Sequence, residues 1–194
     1  MREPALVTDG AAPRPATSVL PALAGVAALF LTNGVLMGTW VTRIPLVKDA
    51  LGLSDVLLGL SLLGVTLGSV LVLPFARGVL ARHGPRGVAV TALVTAGAAL
   101  LLATQATGLP ALLVTLALFG AGFGAADVAL NVVAVTLEHA TRRSLMSRLH
   151  GTYSLGALLG ALLGGWMVSL GASVLAHVGT VLVVLAAVLL SAGR

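Results

Sequence analysis

The sequence predicts an all-α transmembrane protein, a bundle of six membrane-spanning helices. Three observations carry that prediction. The 194 residues are 58% hydrophobic and 9% charged, with a mean hydropathy of +1.10, whereas a soluble chain is about 25% charged. From Gly87 to Thr141 the only charged side chains are Asp127 and Glu138, and from Leu149 to Gly193 there is no Asp, Glu, Lys or Arg. Finally, the Lys and Arg residues fall in short clusters between apolar runs, as they do where charge sets membrane topology.

The elements follow in order. Residues 1–17 are rich in Ala, Pro and Thr without periodicity, and read as a disordered cytoplasmic tail. About 20 apolar residues cross the hydrocarbon core as a helix, and six segments reach that length: 18–41, 55–76, 87–106, 110–136, 150–170 and 173–192. The first is too long for the apolar region of a cleaved signal peptide, and it ends in Thr39-Trp40-Val41 rather than a small-residue cleavage site. Pro45 is expected to end it, because a residue preceding proline avoids the helical region. Ser54 fits the N-cap of the second span with Asp55 in its first turn. Gln105 lies at an interfacial helix end. Pro110 suits the first helical position of the fourth span. His150 and His177 begin the fifth and sixth, where each reads as an interfacial histidine rather than a proton relay.

Orientation follows from the basic residues. With the N-terminus inside, the cytoplasmic side holds Arg2, Arg14, Arg77, Arg82, Arg86, Arg142, Arg143, Arg148 and Arg194, and the outer side only Arg43 and Lys48. Both termini are therefore expected to be cytoplasmic, in a multi-pass protein of the cell's inner (plasma) membrane. The net charge of +5 is topological and implies no nucleic-acid partner.

Glycines repeat at i, i+4: Gly34 and Gly38, Gly64 and Gly68, Gly120 and Gly124, then Gly156, Gly160 and Gly164. Small residues at that spacing let helices approach closely in lipid. Ser61-Leu62-Leu63-Gly64 followed by Gly68 resembles Ser154-Leu155-Gly156 followed by Gly160. Both stretches belong to the second helix of a group of three, and two such groups in series have opposite topology, a 3+3 inverted repeat.

The fourth span carries the chemistry. Gly120, Gly124, Asp127, Asn131, Ala134 and Glu138 are spaced 4, 3, 4, 3, 4 and share one helix face. An Asp at the bilayer centre costs roughly 2.5–3.5 kcal/mol on insertion scales, so its face should point into the bundle or a wet cavity. Asp127 lies about 25 Å along the axis from Pro110, in the inner half of the membrane. Two readings stand equally open. Asp127 is a proton- or cation-coupling carboxylate, or a substrate ligand, oriented by Asn131; or it pairs with a loop cation as a conformational latch. Glu138 is expected to pair with Arg142 at i+4. Asn33, mid-membrane in the first span, makes an interhelical hydrogen bond or lines a central cavity. Trp40, on the same face, is an interfacial anchor or a platform for a sugar ring.

Enzymatic alternatives are weak. Cysteine is absent, which excludes disulfides, thiolate metal sites and a cysteine nucleophile. No G-x-x-x-x-G-K-[ST] loop is present for ATP and no metal-ligand cluster, so no catalytic residue, cofactor or metal is expected. A rhomboid-like protease would pair Ser154 with His177, but their places on opposite sides leave them roughly 18 Å apart in depth, beyond reach of a serine and its base.

Several runs resemble the major facilitator superfamily, N-terminal half. Gly78-Val79-Leu80-Ala81-Arg82-His83-Gly84-Pro85-Arg86 is similar to that superfamily's G-x-L-a-D-R-x-G-R loop. Gly78, Leu80, Arg82, Gly84 and Arg86 match with a one-residue gap, and the motif's Asp is absent. Trp40-Val41-Thr42-Arg43-Ile44-Pro45, Leu51-Gly52-Leu53-Ser54 and Gly59 resemble a sugar-permease subgroup that includes fucose-permease relatives. So do Gly124, Asp127, Ala129, Asn131 and Glu138, with His150-Gly151 and Ser154-Leu155-Gly156. The resemblance covers residues 18–192. It implies half of a transporter fold, with Gly78, Arg82, Gly84 and Arg86 in a conformational loop. It also implies alternating access, in which two six-helix bundles rock around a central site to move a small-molecule substrate. One acidic side chain in the membrane is compatible with proton symport, the expected coupling, with antiport of a cation, or with a purely structural pairing. A twelve-span transporter then requires a second six-helix bundle. A truncated or split polypeptide is the preferred expectation and a homodimer the other source; a non-transporting scaffold is the remaining alternative.

Overall fold

A computed structural model describes residues 19–192; the expected 1–17 tail lies outside the described residues. Six helices follow in order: α1 Val19–Ala50, α2 Asp55–His83, α3 Pro85–Ala103, α4 Leu109–Thr141, α5 Met146–Ser169 and α6 Val174–Ala192. No strand occurs among the described residues. Helices α1 to α5 are long and apolar enough to cross a membrane by length and composition, and the described part of α6, Val174–Ala187, is apolar but shorter.

Local chemistry sets several boundaries as expected. The Ser54 side chain accepts a hydrogen bond from the Leu57 N–H at 3.3 Å, and Asp55 sits in the first turn of α2. Pro110 opens α4 in its first turn, where its missing N–H costs nothing.

Other boundaries differ from the sequence reading. Helix α1 does not stop near residue 41; it runs through Pro45 to Ala50. Proline removes one bond to the carbonyl four residues back, and both Val41 and Pro45 lie on the outside of the bundle, where the ring meets no packed helix. Helix α2 likewise passes through Pro74 and reaches His83. The expected loop from residue 77 to 86 is thus mostly helix. Only Gly84 separates α2 from α3, with φ +72° and ψ 151°, a backbone region open essentially to glycine. Pro85 then starts α3 at once. Helix α5 begins at Met146, so His150 lies inside it rather than at its start.

The bundle is assembled from helix pairs. α1 packs chiefly on α5, and α2 on α4, with α3 against the other side of α4. Glycine lets the pairs close. A Cβ at Gly34 would strike the Tyr153 carbonyl, and one at Gly156 the Leu31 carbonyl; a Cβ at Gly120 would strike the Val65 carbonyl, and one at Gly68 the Ala117 carbonyl. In all four cases the carbonyl belongs to the residue three before the partner helix's own glycine. The α1·α5 and α4·α2 pairs are therefore built by one reciprocal contact, which relates α1 to α4 and α2 to α5. That is the arrangement of a 3+3 inverted repeat. Its register places Gly68 with Gly156, one turn from the Gly64–Gly156 match that sequence likeness suggested.

Polar and small groups complete the seams. Ser69 Oγ lies 2.9 Å from both the Val65 and the Gly120 carbonyl oxygens, the second bond crossing from α2 to α4. Ala89, Ala92, Ala96, Ala99 and Ala103 form the buried stripe of α3. They admit α4 so closely that a Cβ at Gly122 would stand 2.7 Å from the Ala96 nitrogen. Helices α2 and α5 are more open than α1, α3 and α4: 17% of their apolar stretch is buried inside the bundle, against 33–50% for the other three.

Candidate functional site

Helix α4 distributes its faces among neighbours. Gly120 and Gly124 meet α2, Gly122 meets α3, and Phe123 reaches α5, its ring 6.4 Å from that of Tyr153. Phe119 stands 6.0 Å behind Phe123. One turn beyond Phe123, Asp127 is exposed rather than packed. The small-and-polar face read from the sequence thus divides: its glycines are a helix contact, and its carboxylate is free. Asn131 does not orient that carboxylate. Its Nδ2 donates to the Asp127 backbone carbonyl at 2.9 Å, a bond within the helix.

Glu138 differs from the expected Arg142 pair. Its Oε1 accepts from the Leu145 N–H at 2.6 Å and the Met146 N–H at 2.9 Å. The first amides of α5 have no partner of their own, and the N-cap Leu145 offers no side-chain acceptor. A carboxylate placed there satisfies two donors and opposes the positive end of the helix dipole. Arg142 instead ends α4 in the left-handed conformation, φ 53°, which turns the chain back toward Glu138.

In α1, Asn33 is 1% exposed and its Oδ1 has no hydrogen-bond partner. Trp40 is 3% exposed and belongs to the hydrophobic core. It is therefore not an interfacial anchor, since an anchor must reach the headgroups, and in this conformation neither side chain touches open space. Of the expected conformational loop, Gly78 faces open space within α2, Arg82 lies in the last turn of α2 and Arg86 in the first turn of α3. Exposed His150 tilts against Phe30 with centroids 5.4 Å apart.

The sequence reading missed one pair. The sequence places Arg43 on the outer side of the membrane and His177 at an interface, yet both are 0% exposed. Arg43 Nε donates to His177 Nδ1 at 2.7 Å, joining α1 to α6. Continuation of α1 past residue 41 carries Arg43 into the packed bundle. The signal available was a single Arg within an apolar run, next to buried Thr39 and Trp40. By contrast Lys48, at the end of α1, pairs at 2.5 Å with exposed Asp55, the solvent-side behaviour expected of a loop cation.

A sizeable groove lies elsewhere. A groove of about 680 Å³ between α2, α3 and α4 is lined by residues such as Val72, Val88, Thr91 and Ala125, on the opposite face of α4 from Asp127. Among the described residues no three His, Asp or Glu side chains gather to hold a metal.

Comparisons with known proteins agree with this architecture. The Major Facilitator Superfamily model matches residues 16–193. An "Uncharacterized MFS-type transporter" of Yersinia pestis is 39% identical over 140 residues, covering 68% of this chain and 34% of the relative. An uncharacterized transporter of Sinorhizobium fredii is 37% identical over 147 residues, 74% of this chain and 38% of the relative. Membrane protein MosC of Rhizobium meliloti is 34% identical over 143 residues, 74% of this chain and 35% of the relative. The chain spans little more than a third of the length of the curated relatives it matches. No solved structure matches significantly. Apolar helices, a doubled three-helix unit and the match across nearly the whole chain make this a multi-pass membrane protein that belongs to the Major Facilitator Superfamily.

Proposed function

We propose that the chain forms one half of a secondary transporter that moves a small solute by alternating access, with Asp127 as its proton-coupling carboxylate. The observation that carries the reading is Asp127 itself. It is the one acidic residue in the middle of α4, it has no ion pair among the described residues, and it is exposed one turn beyond Phe123, whose ring lies 6.4 Å from that of Tyr153 on α5. A carboxylate held in an apolar span without a cation exchanges protons at a cost that a neighbouring solute can shift. Asn131, one turn on, supplies a polar neighbour for that solute. The resemblance to sugar permeases favours a neutral sugar.

The second six-helix bundle would seat on α2 and α5, whose faces are more open than those of α1, α3 and α4. Leu60, Leu63, Leu67 and Leu71 on α2, and Leu155, Leu158, Leu159 and Leu162 on α5, are all exposed. The positive-inside bias supports cytoplasmic termini in the inner membrane.

Native mass in mild detergent tests the assembly: a stable pair, with itself or with a second six-span chain, is expected, and a lone monomer refutes it. The pair is then placed in proteoliposomes carrying a pH-sensitive dye and offered neutral sugars, L-fucose and D-galactose first. Sugar-dependent proton uptake is expected from the wild type and its loss, with normal insertion, from Asp127→Asn. Undiminished proton uptake by that variant removes Asp127 from the coupling role.

A further inference from the structure

We propose that the groove between α2, α3 and α4 holds an acyl chain of an anionic phospholipid, whose phosphate rests against Arg82 and His83 at the Gly84 turn. The groove follows from the helix pairing. Helices α2 and α3 meet at that turn and both pack on α4, yet they scarcely touch each other. The α4 residues beneath the gap are Ala121, Gly122 and Ala125, too small to fill it. An open trough of about 680 Å³ remains, walled by Val72, Val79, Val88 and Thr91. That volume lies within the roughly 300–1,000 Å³ of ordinary ligand sites, which are likewise mostly apolar with a few polar groups.

Depth, charge and position all fit this occupant. From His83 at its mouth to Val72 near the midpoint of α2, the groove runs about 16 Å along the helix, and one leaflet of hydrocarbon is about 15 Å thick. Exposed Arg82 and His83 close α2, and Arg86 stands in the first turn of α3. No Asp or Glu lies between Asp55 and Asp127, and Glu138, on the same side of the membrane, already accepts from the Leu145 and Met146 amides. An anionic headgroup is therefore answered by cations, while the ammonium of a zwitterionic one meets no carboxylate. Leu60, Leu63, Leu67 and Leu71, offered above to a second bundle, lie roughly a third of a turn or more around α2 from Val72, Val79 and His83. A partner seated on those leucines leaves the groove to lipid. The inference does not depend on transport; it takes from the reading above only the leaflet, which is the cytoplasmic one.

Native mass spectrometry of the purified chain in mild detergent tests this. Phosphatidylglycerol is compared with phosphatidylethanolamine and phosphatidylcholine of the same acyl chains, and with glycerol phosphate, which carries the charge without the chains. One tightly held phosphatidylglycerol per chain is expected, with both zwitterionic lipids weaker and glycerol phosphate unbound. A hydrogen bond to a charged partner is worth about tenfold or more in affinity, so Arg82→Gln should weaken phosphatidylglycerol by about that factor and leave phosphatidylcholine unchanged. Gly87 lines the groove and has nothing within 4 Å of its would-be Cβ, so Gly87→Leu should fill the space and displace the lipid. Circular dichroism checks that each variant keeps its helices; should Gly87→Leu lose them, Arg82→Gln and the comparison of lipids on the wild type decide. Equal retention of anionic and zwitterionic lipids, undiminished phosphatidylglycerol binding by Arg82→Gln or by folded Gly87→Leu, or glycerol phosphate bound as tightly as the lipid would each overturn the proposal. Release of the lipid when a second six-span bundle binds would also overturn it, by assigning the groove to that bundle.

Discussion

Replacing Gly34 with Ala should loosen the α1·α5 pair, and the structure gives the scale. The new Cβ would meet the Tyr153 carbonyl oxygen first, with the Ala157 nitrogen at 2.8 Å and the Tyr153 carbonyl carbon at 3.0 Å. Ordinary contact begins near 3.4 Å, and all three atoms are backbone, so no rotamer change relieves the clash. The helices must part by about 1 Å along the seam, and overpacking of this kind costs about 1–3 kcal/mol. Alanine's better helix propensity returns about 0.5–1 kcal/mol. Because the clash is with backbone alone, the cost of overpacking lies at the upper end of its range, and a net loss of about 2 kcal/mol remains, which lowers Tm by about 4–8 °C for a chain of this size. Thermal unfolding in detergent reads it, with Gly59→Ala as control. Gly59 has nothing within 4 Å of its would-be Cβ, so that variant should match or exceed the wild type. The inverted repeat adds a sharper condition. Gly34→Ala and Gly120→Ala act on separate pairs and should add, whereas Gly34→Ala and Gly156→Ala are relieved by one displacement and should sum to less than their parts. A Gly34→Ala chain that melts with or above the wild type would refute the close packing and the symmetry drawn from it.

Two further outcomes follow from local geometry. Gly84→Ala should destabilise by about 1–3 kcal/mol, because φ +72° with ψ 151° is strained for any Cβ although nothing crowds it; an unchanged Tm would mean that α2 and α3 meet through a different backbone turn. Glu138→Ala should speed hydrogen exchange at the Leu145 and Met146 amides, and Glu138→Gln, which keeps an acceptor, should do so less; equal exchange in all three proteins would remove Glu138 as the cap of α5.

Sequence alone settled what is local. An apolar run of 20 residues declares a membrane helix wherever it lies, because lipid leaves the backbone no other way to satisfy its own hydrogen bonds. Ser54 and Pro110 mark helix starts because capping and the first-turn N–H involve only neighbours along the chain. Asp127 stood out for the same reason, as a charge against its own apolar surroundings. The helix end at proline was less legible: Pro45 read as a stop, yet it costs a single hydrogen bond that the rest of a long helix outweighs, as Pro74 does inside α2. Glu138 was visible as a charge, but its partner was not. The i+4 rule nominated Arg142, while a left-handed turn at Arg142 brought the α5 amides closer.

Tertiary structure decided everything that depends on which helices touch. The division of one α4 face into packed glycines and a free carboxylate follows from where α2 crosses it. The true register of the repeat, Gly68 with Gly156, emerges from carbonyl contacts that no sequence alignment of two short stretches contains. Burial of Arg43 needs α6 to pack against α1, and its bond to His177 joins residues 134 positions apart. Hydropathy and charge are properties of a residue and its chain neighbours, so the sequence could announce six helices. Whether a given arginine faces water or another helix is a property of the assembled bundle, and only the bundle could bury Arg43 against His177.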